Sequence, residues 1–251
     1  MILNKLVVVG DKFNEFAKLD GTITLSQLAI MAQMPAKVFN IKNHLFPGLG
    51  CKNDEVSKFS ISNNSPEHLD LSSLFSFYGN NFAPNIYTHQ HNTYNVLIGQ
   101  AKKLDQSNFE LPFILDERNM LMGDHQTGSH VQGMIITEAF RQTFIAITEE
   151  FFLAKENKKD TYFVINEMNV NFENFLFPLP AIIHFELLDI DQNNYRSKLK
   201  AKITIKQAEK ICATMLTSYV VYPAKELLEK ESKLAKDAVA LYLTEYKSFM
   251  A

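Results

Sequence analysis

The side chains best placed to do chemistry crowd into DHQTGSHVQGMIITEAFRQTFIAITEEFF, Asp124 to Phe152. Glu138, Arg141 and Gln142 follow one another at spacings of three and four inside an apolar run. A helix therefore puts all three in one sector, together with Met134 and Ile145. On an exposed face a Glu–Arg pair at i,i+3 stabilises by about 0.2–0.5 kcal/mol and needs no further explanation. In dry surroundings an unpaired charge is far more costly, so these groups must satisfy one another or face a cleft. A carboxylate there can take a proton from an attacking hydroxyl, and a guanidinium can grip that carboxylate or a phosphate. Gln142 is the residue to orient Glu138. Just upstream, Gly128 and Gly133 flank Ser-His-Val-Gln. Gly133 opens the predicted helix, so the first-turn N–H groups at Gly133 and Met134 form a seat for a carbonyl oxygen or an anion. His125 and His130 are this loop's histidines, each either a proton carrier or a structural hydrogen-bonding residue. Together with Asp124 they match no recognised metal-ligand spacing. We expect neither metal nor cofactor.

The elements that must position these groups follow from periodicity. A helix is expected from about Gly133 to Lys155, since Met134, Ile135, Ile136, Ala139, Phe140, Phe144, Ile145 and Ile147 surround it. Before it, TYNVLIGQAKKL and NFELPFILDE read as two strands separated by a polar DQS turn. After it come YFVINEMNVNF, AIIHFELLDI, YRSKLKAKITIKQ and ICATMLTSYVVY. In the third of these, Leu199, Ala201, Ile203 and Ile205 alternate with Lys198, Lys200, Lys202 and Thr204, giving one dry and one wet face. Pro223 introduces a charged amphipathic helix with Leu227, Leu228, Leu234, Ala235, Ala238, Leu241 and Tyr242 along one side. Strands, one apolar helix, then four strands imply an α+β domain whose helix covers the dry face of an antiparallel sheet.

Residues 1–84 form a separate segment of unassigned role, with a short strand at KLVVVG and a helix around TLSQLAIMAQM. VVVGDKF has a single glycine and lacks the rest of a phosphate cradle, so a nucleotide site there is a weak reading. The 251 residues are 46% hydrophobic and 21% charged, the profile of a globular protein. A net charge of −3 without a dense Lys/Arg stretch gives no pull toward nucleic acid. The opening MILNKLVVVG is too short to span a membrane. Cys51 and Cys212 read as reduced, structural thiols, and we expect a cytoplasmic protein.

DHQTGSHVQGMIITEAFRQ resembles the motif of the A-factor biosynthesis (AfsA-like) hotdog family, a histidine- and glycine-containing loop followed by EAxRQ. It is similar, more distantly, to the hotdog β-hydroxyacyl-ACP dehydratases with HFPGxPxxPGxxxxEAxxQ. There His125 matches the motif histidine, Gly128 and Gly133 the glycines, Glu138 the carboxylate, and Ala139 and Gln142 the residues after it. The loop is one residue shorter and lacks both prolines, while Arg141 replaces a small residue and tilts the match toward the A-factor family. The resemblance runs from about Tyr87 to Tyr222. It implies a hotdog domain over residues 85–251, an antiparallel sheet wrapped round one central helix and followed by the C-terminal helix. It also implies a homodimer and an acyl-carrier-protein or acyl-CoA substrate. The reaction it implies is transfer of a β-ketoacyl group to a hydroxyl of dihydroxyacetone phosphate, with Glu138, Arg141 and His125 catalytic. Gln142, Gly133, Met134 and His130 would then hold substrate. Dehydration of a β-hydroxyacyl thioester, thioester hydrolysis and non-catalytic acyl or lactone binding stay open beside it.

Overall fold

The structure is a computed structural model that describes residues 4–39, 41–61, 66–80, 86–123, 126–153, 161–193 and 195–249. Among them the strands form two sheets. The first is parallel, in the order β2 (Thr22–Thr24), β1 (Asn4–Val9), β3 (Asn43–Pro47), β4 (Leu69–Asp70). Helices α1 (Leu25–Gln33), α2 (Asn53–Ile61) and α3 (Ser72–Asn80) lie between and after these strands. The start of α1 has a local cause: Thr24 and Gln27 bond reciprocally to each other's backbone N–H, satisfying two of the amides a helix start leaves open. KLVVVG is thus β1, and TLSQLAIMAQM contains α1.

The second sheet is antiparallel, in the order β5 (Lys102–Lys103), β6 (Asn108–Pro112), β8 (Ile182–Gln192), β9 (Ser197–Gln207), β10 (Lys210–Pro223), β7 (Thr161–Phe172). Leu199, Ala201, Ile203 and Ile205 of β9 are all fully buried and Lys198, Lys200 and Lys202 exposed, as the alternation requires. Thr204, expected on the wet face, is instead buried between β8 and β10. Against this dry face lies α4 (Gly133–Ile147), whose Phe140 and Phe144 are sealed from solvent, worth about 2–3 kcal/mol each. A single central helix held in an antiparallel sheet is the hotdog architecture expected from the motif. α4 is shorter than its apolar run suggests, because the chain widens into a π turn at Thr148–Phe152. Thr148 bonds back to the carbonyl of Phe144 and shares a 2.7 Å hydrogen bond with the Tyr219 hydroxyl of β10. The C-terminal helix α5 (Ala224–Phe249) follows β10 directly.

The segment expected to be the first strand departs from that reading. Thr93–Asn95 forms a 3-10 turn, and Val96 to Gly99 pairs with the sheet through one isolated bridge, Ile98 to Phe113. The Leu97 carbonyl accepts the Ile114 N–H at 3.0 Å and the Gly99 N–H donates to the Pro112 carbonyl at 2.9 Å. The Leu97 N–H and the Asn95 carbonyl go to a side chain of the central helix, and only Lys102 and Lys103 form a strand, β5.

The two sheets share one continuous apolar core, running from Leu6 through Phe140 to Val221. Their junction lies at the carboxyl ends of β1 and β3, the crevice where a parallel sheet commonly takes a ligand. Here a loop of the hotdog fills it. Gly10 and Gly50 approach so closely that a β-carbon on Gly10 would collide with the Gly50 backbone, and Gly50 itself has φ +86°. The buried Glu117 carboxylate accepts the Lys12 backbone N–H at 3.1 Å and the Lys52 ammonium at 3.0 Å. VVVGDKF is therefore a docking edge. Next to it, burial pushes the Cys51 thiol up to about 12, and both cysteines are free and buried.

Candidate active site

Glu138, Arg141 and Gln142 are brought together as the helical spacing predicts. Arg141 grips Glu138 side-on, through Nε to Oε2 at 2.7 Å and Nη2 to Oε1 at 2.8 Å. That bond holds the guanidinium above its ordinary range despite partial burial. Gln142, fully buried, donates from Nε2 to Glu138 Oε1 at 3.0 Å and to the carbonyl of Asn95 at 2.9 Å. Its Oε1 accepts the Leu97 backbone N–H at 2.8 Å. Gln90 supplies a further donor to Glu138 Oε1 at 3.2 Å. Oε1 thus accepts three hydrogen bonds and Oε2 one. Among the described residues, the carboxylate oxygen left open to an incoming hydroxyl is Oε2.

Two turns beyond Gln142, Glu149 continues the same polar stripe. Its buried carboxylate meets the His89 ring at 2.7 Å and accepts from Thr161 Oγ1, while His89 carries a left-handed backbone at φ +57°. Glu138, Gln142 and Glu149 therefore tie residues 89–97 along α4. Of the backbone groups there, the Leu97 N–H and the Asn95 carbonyl are satisfied by a helix side chain rather than by a strand.

Beside Glu138 lies a cleft of about 460 Å³, bounded by Gln90, Asn95, Asn119, Thr137, Glu138 and Arg141 on its polar side. Met120, Leu121, Met134 and Met168 supply the apolar side. The polar rim is built from loops that hold one another. Asn95 Oδ1 accepts the Met120 N–H at 3.0 Å, and Asn119 donates to the Tyr94 carbonyl at 3.2 Å. Methionine walls are soft and adapt to an unbranched chain. Of these, Met168 belongs to β7 and Met134 to the first turn of α4.

Gly133 and Met134 occupy that first turn, as expected. Gln132 precedes them without a side-chain cap, so the turn's outward N–H groups remain a seat for an oxygen. A β-carbon at Gly133 would meet the Phe172 ring at 3.0 Å, so any larger residue there must push that ring aside. His130 lies outside the cleft lining. Its Nδ1 pairs with Thr127 Oγ1 at 3.2 Å and its ring packs on Phe175, 4.8 Å between centroids. Gly128, at φ +72°, packs against Asn14 and Glu15 of the N-terminal segment. His125 and Asp124 lie outside the described residues. Among the described residues no three His, Cys, Asp or Glu side chains gather as a metal site, and no helix is long and apolar enough to cross a membrane. Sequence reasoning missed Gln90, Asn95 and Asn119. Gln90 sits in irregular chain and Asn95 and Asn119 in or beside single 3-10 turns, all too short for periodicity to carry a signal.

Among solved structures the chain is similar to a thioesterase of Haemophilus influenzae, at 15% identity over 51% of this chain and 79% of that one, TM-score 0.36. A thioesterase variant of Pseudomonas aeruginosa matches at 14% identity, 50% and 81% coverage and TM-score 0.36. A phenylacetic acid degradation-related protein of Ralstonia eutropha matches at 13% identity, 48% and 83% coverage and TM-score 0.37. These likenesses are distant, and no curated protein matches the chain. The family model for the A-factor biosynthesis hotdog domain matches residues 82–223, more than half of the sequence, and spans the whole cleft-bearing unit. The chain belongs to the A-factor biosynthesis (AfsA) hotdog family.

Proposed function

We propose that this protein transfers a β-ketoacyl group from an acyl-carrier-protein or coenzyme A thioester to a hydroxyl of a glycerol-type phosphate such as dihydroxyacetone phosphate. The observation that carries this reading is Glu138 Oε2, which among the described residues accepts one hydrogen bond, at the polar end of a methionine-walled cleft. The acyl chain lies along Met120, Leu121, Met134 and Met168. The thioester carbonyl points at the first-turn amides of α4, where each good donor to the developing oxyanion contributes about 3–4 kcal/mol. The acceptor hydroxyl donates to Oε2 and its oxygen attacks the carbonyl carbon. The C–O bond forms, the C–S bond breaks, and the thiolate leaves with the proton taken from the hydroxyl. Arg141, Gln142 and Gln90 hold Glu138 at the angle this needs. His125, the proton carrier in the family-based expectation, lies outside the described residues.

A homodimer belongs to this reading. β7 is a twelve-residue strand at the edge of its sheet, and its Met168 lines the cleft. A second copy added along that edge would satisfy its unpaired backbone groups and cover the cleft mouth. Hydrolysis of the thioester is the second reading, favoured by one observation. Arg141, the one cation among the described lining residues, already directs two N–H groups at Glu138, so an acceptor phosphate finds little uncompensated positive charge there.

The two separate in one experiment. A β-ketoacyl carrier thioester is incubated with and without dihydroxyacetone phosphate, and the products are weighed by mass spectrometry. Transfer gives an ester carrying the triose phosphate mass. Free β-keto acid at the same rate with or without the triose overturns transfer and leaves hydrolysis.

A further inference from the structure

α5 leaves the domain almost at once. Beyond Leu227 every described residue up to Tyr246 is exposed, including Leu228 at 56%, Val239 at 58% and Tyr242 at 62%. Its contact with the body of the protein is slight: the Tyr162 hydroxyl reaches Glu231 at 3.4 Å. A helix with this much bare apolar surface needs a cover.

The spacing of its residues says which. Leu228, Ser232, Ala235, Val239, Tyr242 and Tyr246 recur at alternating steps of four and three, the repeat of a helical seam. The neighbouring stripe of Leu227, Leu234 and Leu241 also repeats every seven. As a seam between two like helices, however, it would bring Glu231 and Glu245 each against its own copy, so charge rejects it. In the first seam Glu231 and Lys236 flank the apolar positions. Glu229 and Lys233, and Lys233 and Asp237, are spaced i,i+4 for pairing within the helix. Glu231 and Lys236 are not: neither has an opposite charge three or four residues away. In a parallel pair in register, Glu231 of one helix faces Lys236 of the other, twice by symmetry. An antiparallel pair in full overlap sets Glu231 against Glu245 and Lys236 against Lys236. The charges thus select one partner and one direction.

We infer that α5 is an association helix, pairing parallel and in register with α5 of a second copy of this chain. The balanced charges of its polar face give no preference for an anionic surface, and α5 meets the β7 edge only near its start, where Tyr162 reaches Glu231. The inference does not depend on the reaction proposed above.

The test uses the full chain. Cys51 and Cys212 are buried, so a single introduced thiol reports alone. Ala235→Cys is expected to form a disulfide-linked dimer on mild oxidation, because the pairing places the two copies of position 235 face to face. Lys230→Cys, on the opposite side of the helix, is expected to stay single. Adding Glu231→Lys to Ala235→Cys should slow cross-linking at least about fivefold, and Glu231→Lys with Lys236→Glu should restore it. Equal cross-linking at positions 230 and 235, or a rate indifferent to the charge changes, overturns the inference. Cross-linking that needs Ala235→Cys mixed with Val239→Cys would show an antiparallel seam, and overturns it as well.

Discussion

The Phe172 ring, at the end of β7, closes over Gly133, at the start of α4, leaving no room for a β-carbon without movement. The contact locks the first-turn amides to the strand that borders the cleft. Phe172 is itself 56% exposed, so its ring can swing away. Gly133→Ala should therefore alter unfolding stability by less than about 1 kcal/mol. Turnover on acyl carrier thioesters should fall about tenfold or more, since small displacements of a positioning group are costly. Adding Phe172→Ala should recover part of the loss. Equal rates for Gly133→Ala and the unaltered protein would separate these amides from the chemistry.

Arg141 and Glu138 test differently for fold and for reaction. Removing the guanidinium in Arg141→Ala leaves a half-buried carboxylate with two fewer donors, a destabilisation of about 1–3 kcal/mol. Glu138→Ala with Arg141→Ala should be less damaging than the sum of the single changes, as urea unfolding in a double-mutant cycle would show. Glu138→Gln preserves the shape but removes the proton acceptor. Its turnover should drop about a hundredfold or more while the protein stays folded.

Gln142 is sealed from solvent and satisfies two backbone groups of another segment, the Leu97 N–H and the Asn95 carbonyl. Gln142→Ala strands both, so a loss of about 2–4 kcal/mol is expected from urea unfolding. Hydrogen exchange at the Leu97 amide should speed up by more than global destabilisation accounts for. Unchanged protection at Leu97 would mean the bond is not part of the fold in solution.

His184 of β8 predicts the pH response. Burial pushes its imidazole below the ordinary value of 6.5, with Lys206 acting the same way and Glu110 opposing. The unfolded chain therefore binds the proton more tightly than the folded one. The stability due to neutral His184 is complete above about pH 6.5 and drains away as pH falls through the lower folded value. Urea midpoints at about pH 7.5 and about pH 5.5 should differ less in His184→Gln than in the unaltered protein. Identical differences would assign the acid sensitivity elsewhere.

The legibility of the chain divides by how local its signals are. Four strands after α4 were readable because alternation in segments such as Leu199 to Ile205 is a short-range pattern. Glu138, Arg141 and Gln142 were readable because helical spacing alone puts them on one face. The parallel sheet was not: β2 has three residues and β4 two, and their pairing joins segments tens of residues apart. Residues 93–104 looked like a strand because Val96, Leu97 and Ile98 are apolar. Only Lys102 and Lys103 join the sheet as a strand, while the Leu97 N–H and the Asn95 carbonyl go to Gln142, and no local pattern announces that. His130 drew notice through its place between two glycines, yet its ring is turned to Thr127 and Phe175. A histidine's type says that it can carry a proton, and its neighbours decide whether it faces a substrate.

The Glu117 carboxylate sits between Lys12 and Lys52 at the mouth of the parallel sheet. The N-terminal unit is therefore no detachable module. Cutting the chain between the two sheets would leave an ammonium on one fragment and a stripped carboxylate on the other, each beside freshly bared apolar surface. Attempts to express the hotdog portion by itself should yield aggregates, and mixing the two pieces should rescue solubility by rebuilding that seat.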